Sequence, residues 1–151
     1  MNAEEYRKIL SVAISREVES YAFYRAVQER VEDKDLKLIF EELAGDETSH
    51  RELLEGYLSR PAKSLSFDVT SDYKVSESFD TPTVTIDMKP AEGLQLAIKK
   101  EKEAVEMYTR LARMSTGSEQ KGIFENLAKM ELGHKTKLED IYTNMAFPEV
   151  W

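Results

Sequence analysis

The chain has 151 residues, a hydrophobic content of 41%, a formal charge of −8 and no cysteine. This length suits one domain with a buried core, and the acidity argues against nucleic acid or an anionic membrane surface as a partner. The lack of cysteine excludes disulfides, thiolate metal sites and cysteine nucleophiles from these residues. No secretory signal is visible at the N-terminus and no apolar run has the length of a membrane helix, so we expect a cytoplasmic protein.

The first half of the chain predicts a helix hairpin over residues 3–59. Apolar residues recur at steps of three, four and seven from Ala3 to Val31, with Glu17 inside the apolar stripe. Asp33 is the expected N-cap of the second helix. This helix is expected to end at residues 59–61, where the sequence is Ser-Arg-Pro. Glu47 and His50 fall on the buried side of that second helix, three residues apart, and can therefore address one point.

The second half predicts another hairpin over residues 90–144. Pro90 suits the first turn of the third helix, whose apolar face contains Glu101. Thr116 and Glu119 form an expected capping box for the fourth helix, and Glu131 and His134 lie on its apolar face. Residues 60–89, rich in Ser, Thr, Asp and Pro, are expected to be a long crossover between the hairpins, and 145–151 a C-terminal tail.

The two hairpins repeat each other at a distance of 84 residues. The repeated polar residues are two glutamates in helices one and three, two later tyrosines, and two Glu-x-x-His pairs that use both histidines of the chain. They are Glu17, Tyr24, Glu47 and His50 in the first copy and Glu101, Tyr108, Glu131 and His134 in the second. The repeat predicts an all-α, antiparallel four-helix bundle in a single domain, with pseudo-twofold symmetry.

This constellation is typical of a dinuclear metal site inside a bundle, with one Glu from each of two helices and Glu-x-x-His from the other two. Four carboxylates offset the charge of two divalent cations, and imidazole shifts the preference towards iron, manganese or zinc. The predicted ligands are Glu17, Glu47, His50, Glu101, Glu131 and His134, around two ions less than about 4.5 Å apart. We expect Glu47 and Glu131 to bridge, with Glu17 and His50 on one ion and Glu101 and His134 on the other. Which terminal glutamate accompanies which histidine stays open.

The repeated tyrosines, Tyr24 and Tyr108, have two compatible interpretations. Each lies two helical turns from a predicted ligand, where a tyrosine is often simply part of the core. A buried hydroxyl also needs a hydrogen-bond partner, and a ligand carboxylate would serve as one.

At these residues the chain resembles the rubrerythrin branch of the ferritin-like superfamily, over nearly its whole length apart from the crossover. The resemblance implies a site for two non-haem iron ions, chemistry with hydrogen peroxide or dioxygen, and often dimers. Rubrerythrins usually carry a rubredoxin-like domain with four cysteines, so any reductase activity here needs an external donor such as a rubredoxin-like protein. They also place an extra ligand glutamate where this chain has Ala104, and usually a glutamate where it has His134.

Three functions compete on these observations. The first is a peroxidase or oxidase that reduces hydrogen peroxide or dioxygen. The second is a ferroxidase or other iron-handling protein, for which ferrous ion is the substrate. The third is a non-enzymatic, metal-stabilised interaction bundle. We expect a homodimer through outer helix faces, and we favour hairpins that pair within one chain over hairpins exchanged between chains.

Overall fold

The structure is a computed structural model that describes residues 3–59, 84–85 and 87–145. Its regular elements are four helices: α1 (Ala3–Arg30), α2 (Lys34–Leu58), α3 (Pro90–Met114) and α4 (Ser118–Met145). Most of the predicted crossover and the predicted tail after residue 145 lie outside the described residues. None of the described helices combines the length and apolar content that crossing a bilayer requires.

The helices begin where local chemistry favours it. Asp33 has extended backbone angles and its side chain accepts a hydrogen bond from the Leu36 backbone N–H at 2.9 Å, which confirms the predicted N-cap of α2. Pro90 occupies the first position of α3, as predicted. Helix α4 begins at Ser118, so Gly117 takes the N-cap position, one residue later than a capping box starting at Thr116 would put it.

Short connections over residues 31–33 and 115–117 make α1–α2 and α3–α4 antiparallel hairpins. The hairpins pack against each other through two apolar clusters, which lie towards opposite ends of the bundle. The first cluster joins the early part of α1 and the late part of α2 to the late part of α3 and the early part of α4. The second cluster joins the four complementary parts. The chain is therefore an all-α four-helix bundle, as the repeat predicts.

The 84-residue repeat maps each apolar cluster onto the other. The first cluster contains residues from both hairpins: Leu10, Ala13 and Leu54 with Tyr108, Phe124, Leu127 and Ala128. Their repeat counterparts all belong to the second cluster: Leu94, Ala97 and Leu138 with Tyr24, Phe40, Leu43 and Ala44. The pseudo-twofold symmetry is thus a property of the packing, and its centre lies between the two clusters, where the predicted ligands are.

Candidate metal centre

All six predicted ligands are buried side by side in the middle of the bundle. Helices α1 and α3 each supply one glutamate, and α2 and α4 each supply a glutamate and a histidine. No more than 5% of the surface of any of the six is exposed. Glutamate is rarely so deeply buried without a charge partner, so this cluster needs an explanation beyond packing.

The first group of side chains surrounds the imidazole of His50. Its Nδ1 lies 3.3 Å from Oε1 of Glu131, 3.5 Å from Oε2 of Glu17 and 3.6 Å from Oε1 of Glu47. One donor atom from each of these four side chains lies within 4.8 Å of the others. Three helices, α1, α2 and α4, therefore converge on this point.

The second group surrounds the imidazole of His134. Its Nδ1 lies 3.1 Å from Oε1 of Glu47, 3.2 Å from Oε1 of Glu131 and 3.8 Å from Oε2 of Glu101. Glu47 and Glu131 thus belong to both groups, whereas each remaining glutamate belongs to one. The structure places Glu17 with His50 and Glu101 with His134, the arrangement in which the two shared glutamates could bridge.

The donor atoms that face this centre are spaced as ligands of a shared cation would be, and they form no hydrogen bonds with one another. Two ligand atoms bound to one ion at about 2.1 Å lie roughly 3.0–3.4 Å apart, a range that includes three of the six distances above. None of the inward atoms has a hydrogen-bond partner among the residues that the structure describes. They are Glu17 Oε2, Glu47 Oε1 and Oε2, His50 Nδ1, Glu101 Oε2, Glu131 Oε1 and His134 Nδ1. Buried polar atoms normally have partners, and two metal ions would supply them all.

The two repeated tyrosines connect the hairpins at this centre. The Tyr24 hydroxyl on α1 donates to Oε1 of Glu101 on α3 at 2.8 Å, and the Tyr108 hydroxyl on α3 donates to Oε1 of Glu17 on α1 at 2.5 Å. Both tyrosines are also buried members of the apolar clusters, so the two sequence interpretations hold together. Each hydroxyl leaves the other carboxylate oxygen, Oε2, turned towards the centre.

In the metal-free cluster, burial and the neighbouring charged groups strongly shift the pKa values of the glutamates and histidines. Burial raises the pKa of Glu47 and of Glu101, and repulsion from the facing carboxylates raises both further. Burial also opposes the ionisation of Glu131, but the two histidines outweigh it and lower the pKa of this carboxyl. Burial disfavours the protonation of His50, yet the carboxylates of Glu131 and Glu17 raise its pKa to about 10. Without a cation, the cluster therefore holds protons.

Two ion pairs, which the sequence interpretation did not include, flank the centre between α1 and α3. Arg16 Nη1 lies 3.3 Å from Oε1 of Glu103, and Lys100 Nζ lies 3.7 Å from Oε1 of Glu19. Positions 16 and 100, and positions 19 and 103, are counterparts in the repeat. The repeat of Glu19 at 103 and the basic residue at both 16 and 100 were the signals that could have found these pairs.

Two further positions near the predicted ligands are Ala104 on α3 and Asp46 on α2. Ala104 is buried in the first apolar cluster, so a methyl group stands where the resemblance would place an extra carboxylate. Asp46 precedes Glu47, and its Oδ2 lies 3.1 Å from Nε2 of His134. The repeat contains no signal for Asp46, because its counterpart is Met130.

Comparison with known proteins places this centre in a family. A family profile described as Rubrerythrin matches residues 8–142, which include all six predicted ligands. The chain belongs to the rubrerythrin family. No curated protein matches it.

Solved structures show the same fold. An uncharacterised protein from Pyrococcus furiosus is 22% identical over 97% of this chain and 93% of its own, with a TM-score of 0.75. A protein from Thermotoga maritima, described as ferritin-like and diiron-carboxylate, is 23% identical over 91% of this chain and 94% of its own, with a TM-score of 0.69. A two-domain protein from Anabaena variabilis, with a DJ-1/ThiJ/PfpI-like and a ferritin-like domain, is 17% identical, with a TM-score of 0.64. This match covers 100% of the present chain and 42% of the Anabaena variabilis chain.

Together, the family and the geometry describe a rubrerythrin-family four-helix bundle with a candidate carboxylate and histidine metal site at its centre. The six predicted residues supply every member of the two overlapping groups of donors.

Proposed function

We propose that this rubrerythrin-family chain binds two iron ions and reduces hydrogen peroxide or dioxygen with electrons from an external donor. The observation that carries the proposal is the sharing of Glu47 and Glu131 between the His50 group and the His134 group. A shared carboxylate is what holds two ions a few ångströms apart. Two adjacent ions that each give up one electron together provide the two electrons that reductive cleavage of an O–O bond requires.

When bound, a pair of ferrous ions supplies the two electrons that reduce hydrogen peroxide. Two electrons and two protons convert one peroxide into two water molecules, and the external donor then returns two electrons to the site. Manganese could take the same ligands, and zinc could occupy them without redox chemistry. The protein's task is to hold the geometry and to control access of water.

The chain's own residues meet that task in three ways. Glu17 with His50, and Glu101 with His134, would hold one ion each, while the shared glutamates would bridge. The Tyr24 and Tyr108 hydroxyls fix the outer oxygens of the terminal carboxylates, so that the inner oxygens keep their direction. The apolar clusters above and below the centre exclude water from the bundle axis.

An external redox protein is the proposed electron donor. The 151 residues contain no cysteine and therefore no rubredoxin-like iron site. A small rubredoxin-like protein that docks near the bundle would be a suitable donor. Reduction of the oxidised protein by such a donor, followed optically, tests this part of the proposal separately from peroxide turnover.

The main test is the reaction of the ferrous protein with one equivalent of peroxide per site. We expect rapid oxidation of both irons in the wild type and a loss of at least tenfold in rate or in iron content for Glu47→Gln, because one bridging oxygen is removed. Glu52→Gln, a neutralised and exposed glutamate on the same helix, is the matched control and should behave as wild type.

Iron handling is the competing outcome of the same experiment. If the protein oxidises many equivalents of added ferrous ion with dioxygen, and reacts slowly with peroxide, ferrous ion is its substrate and the reductase proposal is wrong. If the protein binds iron at the six residues but neither reagent oxidises it, the site is structural and the reductase proposal is also wrong.

A further inference from the structure

The two halves of the candidate metal centre are alike in nearly every contact. Each histidine Nδ1 faces both shared glutamates, and each terminal glutamate accepts a hydrogen bond from a tyrosine of the opposite hairpin. The flanking ion pairs Arg16–Glu103 and Lys100–Glu19 also correspond through the repeat. A perfectly symmetric site would bind two like ions with equal intrinsic affinity.

Asp46 breaks this symmetry. Its Oδ2 lies 3.1 Å from Nε2 of His134, across the interface between α2 and α4. The residue at the equivalent place in the second copy is Met130, whose thioether is at most a weak acceptor. Asp46 and Met130 are both partly buried, so the two positions differ in chemistry far more than in exposure.

The contact determines which nitrogen of His134 can bind a metal. An ionised carboxylate only accepts hydrogen bonds, so Nε2 carries the proton that it donates to Asp46. Neutral His134 then has its lone pair on Nδ1, the atom that faces Glu47 and Glu131. The hydrogen bond also fixes the ring orientation and makes the ligand nitrogen more basic, as carboxylate–histidine–metal arrangements do.

We propose that Asp46 is a positioning residue that makes the two metal positions inequivalent, so that the position formed by Glu101 and His134 fills first and holds its ion more tightly. The inference rests on the proposed dinuclear site and goes beyond it. The other position, formed by Glu17 and His50, receives no equivalent contribution from Met130. Loss of a carboxylate partner of a ligand histidine typically weakens metal binding by about 10–100-fold, which is the size of the asymmetry we expect.

The first test is calorimetric titration of metal-free protein with zinc, which reports affinity without redox turnover. The wild type should show two steps that differ by about 10–100-fold in dissociation constant. Glu17→Gln should keep the tighter step and Glu101→Gln should lose it. If Glu17→Gln instead removes the tighter step, the assignment is reversed and the proposal is wrong.

The second test exchanges the residues that break the symmetry. Asp46→Met should weaken the tighter step by about 10–100-fold and merge the two steps, whereas Met130→Asp should strengthen the weaker step by a similar factor. Asp46→Asn keeps an acceptor for Nε2–H without the charge and should give an intermediate result. Because the Asp46 side chain is 43% exposed, these variants should fold, and circular dichroism checks that they do.

A tautomer measurement separates positioning from a merely structural role. The chain has two histidines, so nitrogen-15 spectra of the zinc-loaded protein contain two imidazole ring systems. The His134 ring should show a slowly exchanging Nε2–H that exchanges faster in Asp46→Met, with the His50 ring unchanged. Equal weakening of both zinc steps in Asp46→Met, or an unchanged His134 ring, overturns the proposal. Absence of any zinc binding that depends on Glu47 would instead overturn the dinuclear site itself.

Discussion

At the scale of single residues, the centre of the bundle combines groups that destabilise one another when no cation is present. Four glutamates are almost fully buried there, and three of them, Glu17, Glu47 and Glu101, have raised pKa values. Burying a carboxylate without a partner costs several kcal/mol. Proton uptake and contacts with the two histidines relieve part of this cost in the metal-free protein, and metal ions would relieve more.

The tyrosine hydroxyls should contribute equally to stability in the two halves. Tyr108→Phe and Tyr24→Phe each remove the donor to one buried carboxylate oxygen, of Glu17 and Glu101 respectively. We expect each change to lower the free energy of unfolding by about 1–3 kcal/mol in urea denaturation of the metal-free protein. Tyr142→Phe is the control, because that hydroxyl accepts from Gln95 in an exposed hydrogen bond. A loss as large in Tyr142→Phe would refute the special role of the buried pair.

The stabilisation that metal binding gives should grow with pH. His50 has a pKa raised from 6.5 to about 10, so its protonation stabilises the metal-free fold fully below pH 6.5, and this contribution disappears as the pH rises towards 10. The raised pKa values of Glu47 and Glu101 likewise lower the stability of the metal-free fold as the pH rises. The lowered pKa of Glu131 acts only at acidic pH. A metal ion keeps the ligands deprotonated at every pH in this window.

Thermal melting of the metal-free and the zinc-loaded protein between pH 6.5 and about 10 checks this pH dependence of the stabilisation by metal. We expect the melting temperature of the metal-free protein to fall as the pH rises, and the difference between the two forms to widen. Identical melting curves with and without zinc, or a difference that shrinks with increasing pH, would contradict the prediction.

The clustering of the six candidate residues could be predicted because polar residues interrupted apolar stripes twice at the same spacing. Glu17 and Glu101 stood out for that reason, and both histidines lay three residues after a glutamate. Asp46 could not be found in this way, because its contact crosses from α2 to α4 and its repeat counterpart is Met130. A sequence pattern reports periodicity within a helix, whereas the partner of a side chain on another helix depends on how the helices pack.

At the scale of helices, local residues determine where a helix begins, so two of the helix starts could be predicted from the sequence. Asp33 and Pro90 mark helix starts through local effects, a side-chain cap and a fixed φ angle, and both predictions are confirmed. The start of α4 differed by one residue, since Thr116 and Gly117 both precede an acceptable first turn. Local signals fix a helix end to within a residue or two, and packing decides the rest.

The apolar clusters at the two ends should be energetically equivalent. Phe40 and Phe124 are repeat counterparts, both fully buried, and each packs in the cluster beside a tyrosine of the centre. Truncation to alanine should cost about 3–5 kcal/mol of stability in either case. Leu132→Ala, at a position 50% exposed on α4, should change stability by less than about 0.5 kcal/mol. Losses that differ strongly between Phe40→Ala and Phe124→Ala would show that the repeat does not extend to the energetics.

At the scale of the whole molecule, every core cluster and both donor groups draw on both hairpins. Neither hairpin can complete the site alone, so the connection between them determines whether one chain or two build it. About 30 residues join α2 to α3 and could extend roughly 100 Å at 3.3 Å per residue. A helix of 25 residues, such as α2 or α3, is only about 37 Å long. The connection is thus long enough to return along its own bundle or to reach a neighbouring chain.

We propose that the chain forms a homodimer through outer helix faces and that each chain pairs its own hairpins, because pairing within a chain avoids the entropy cost of association. Co-refolding a Glu17→Ala, Glu47→Ala chain with a Glu101→Ala, Glu131→Ala chain tests the second point. Each chain then lacks ligands in one hairpin, so self-paired bundles contain no complete site and should bind almost no zinc. Exchanged hairpins would join the two unaltered hairpins in every mixed dimer and restore one complete site, which calorimetry would detect and which would disprove the self-paired arrangement. Wild-type protein refolded in parallel shows how much binding the procedure itself preserves.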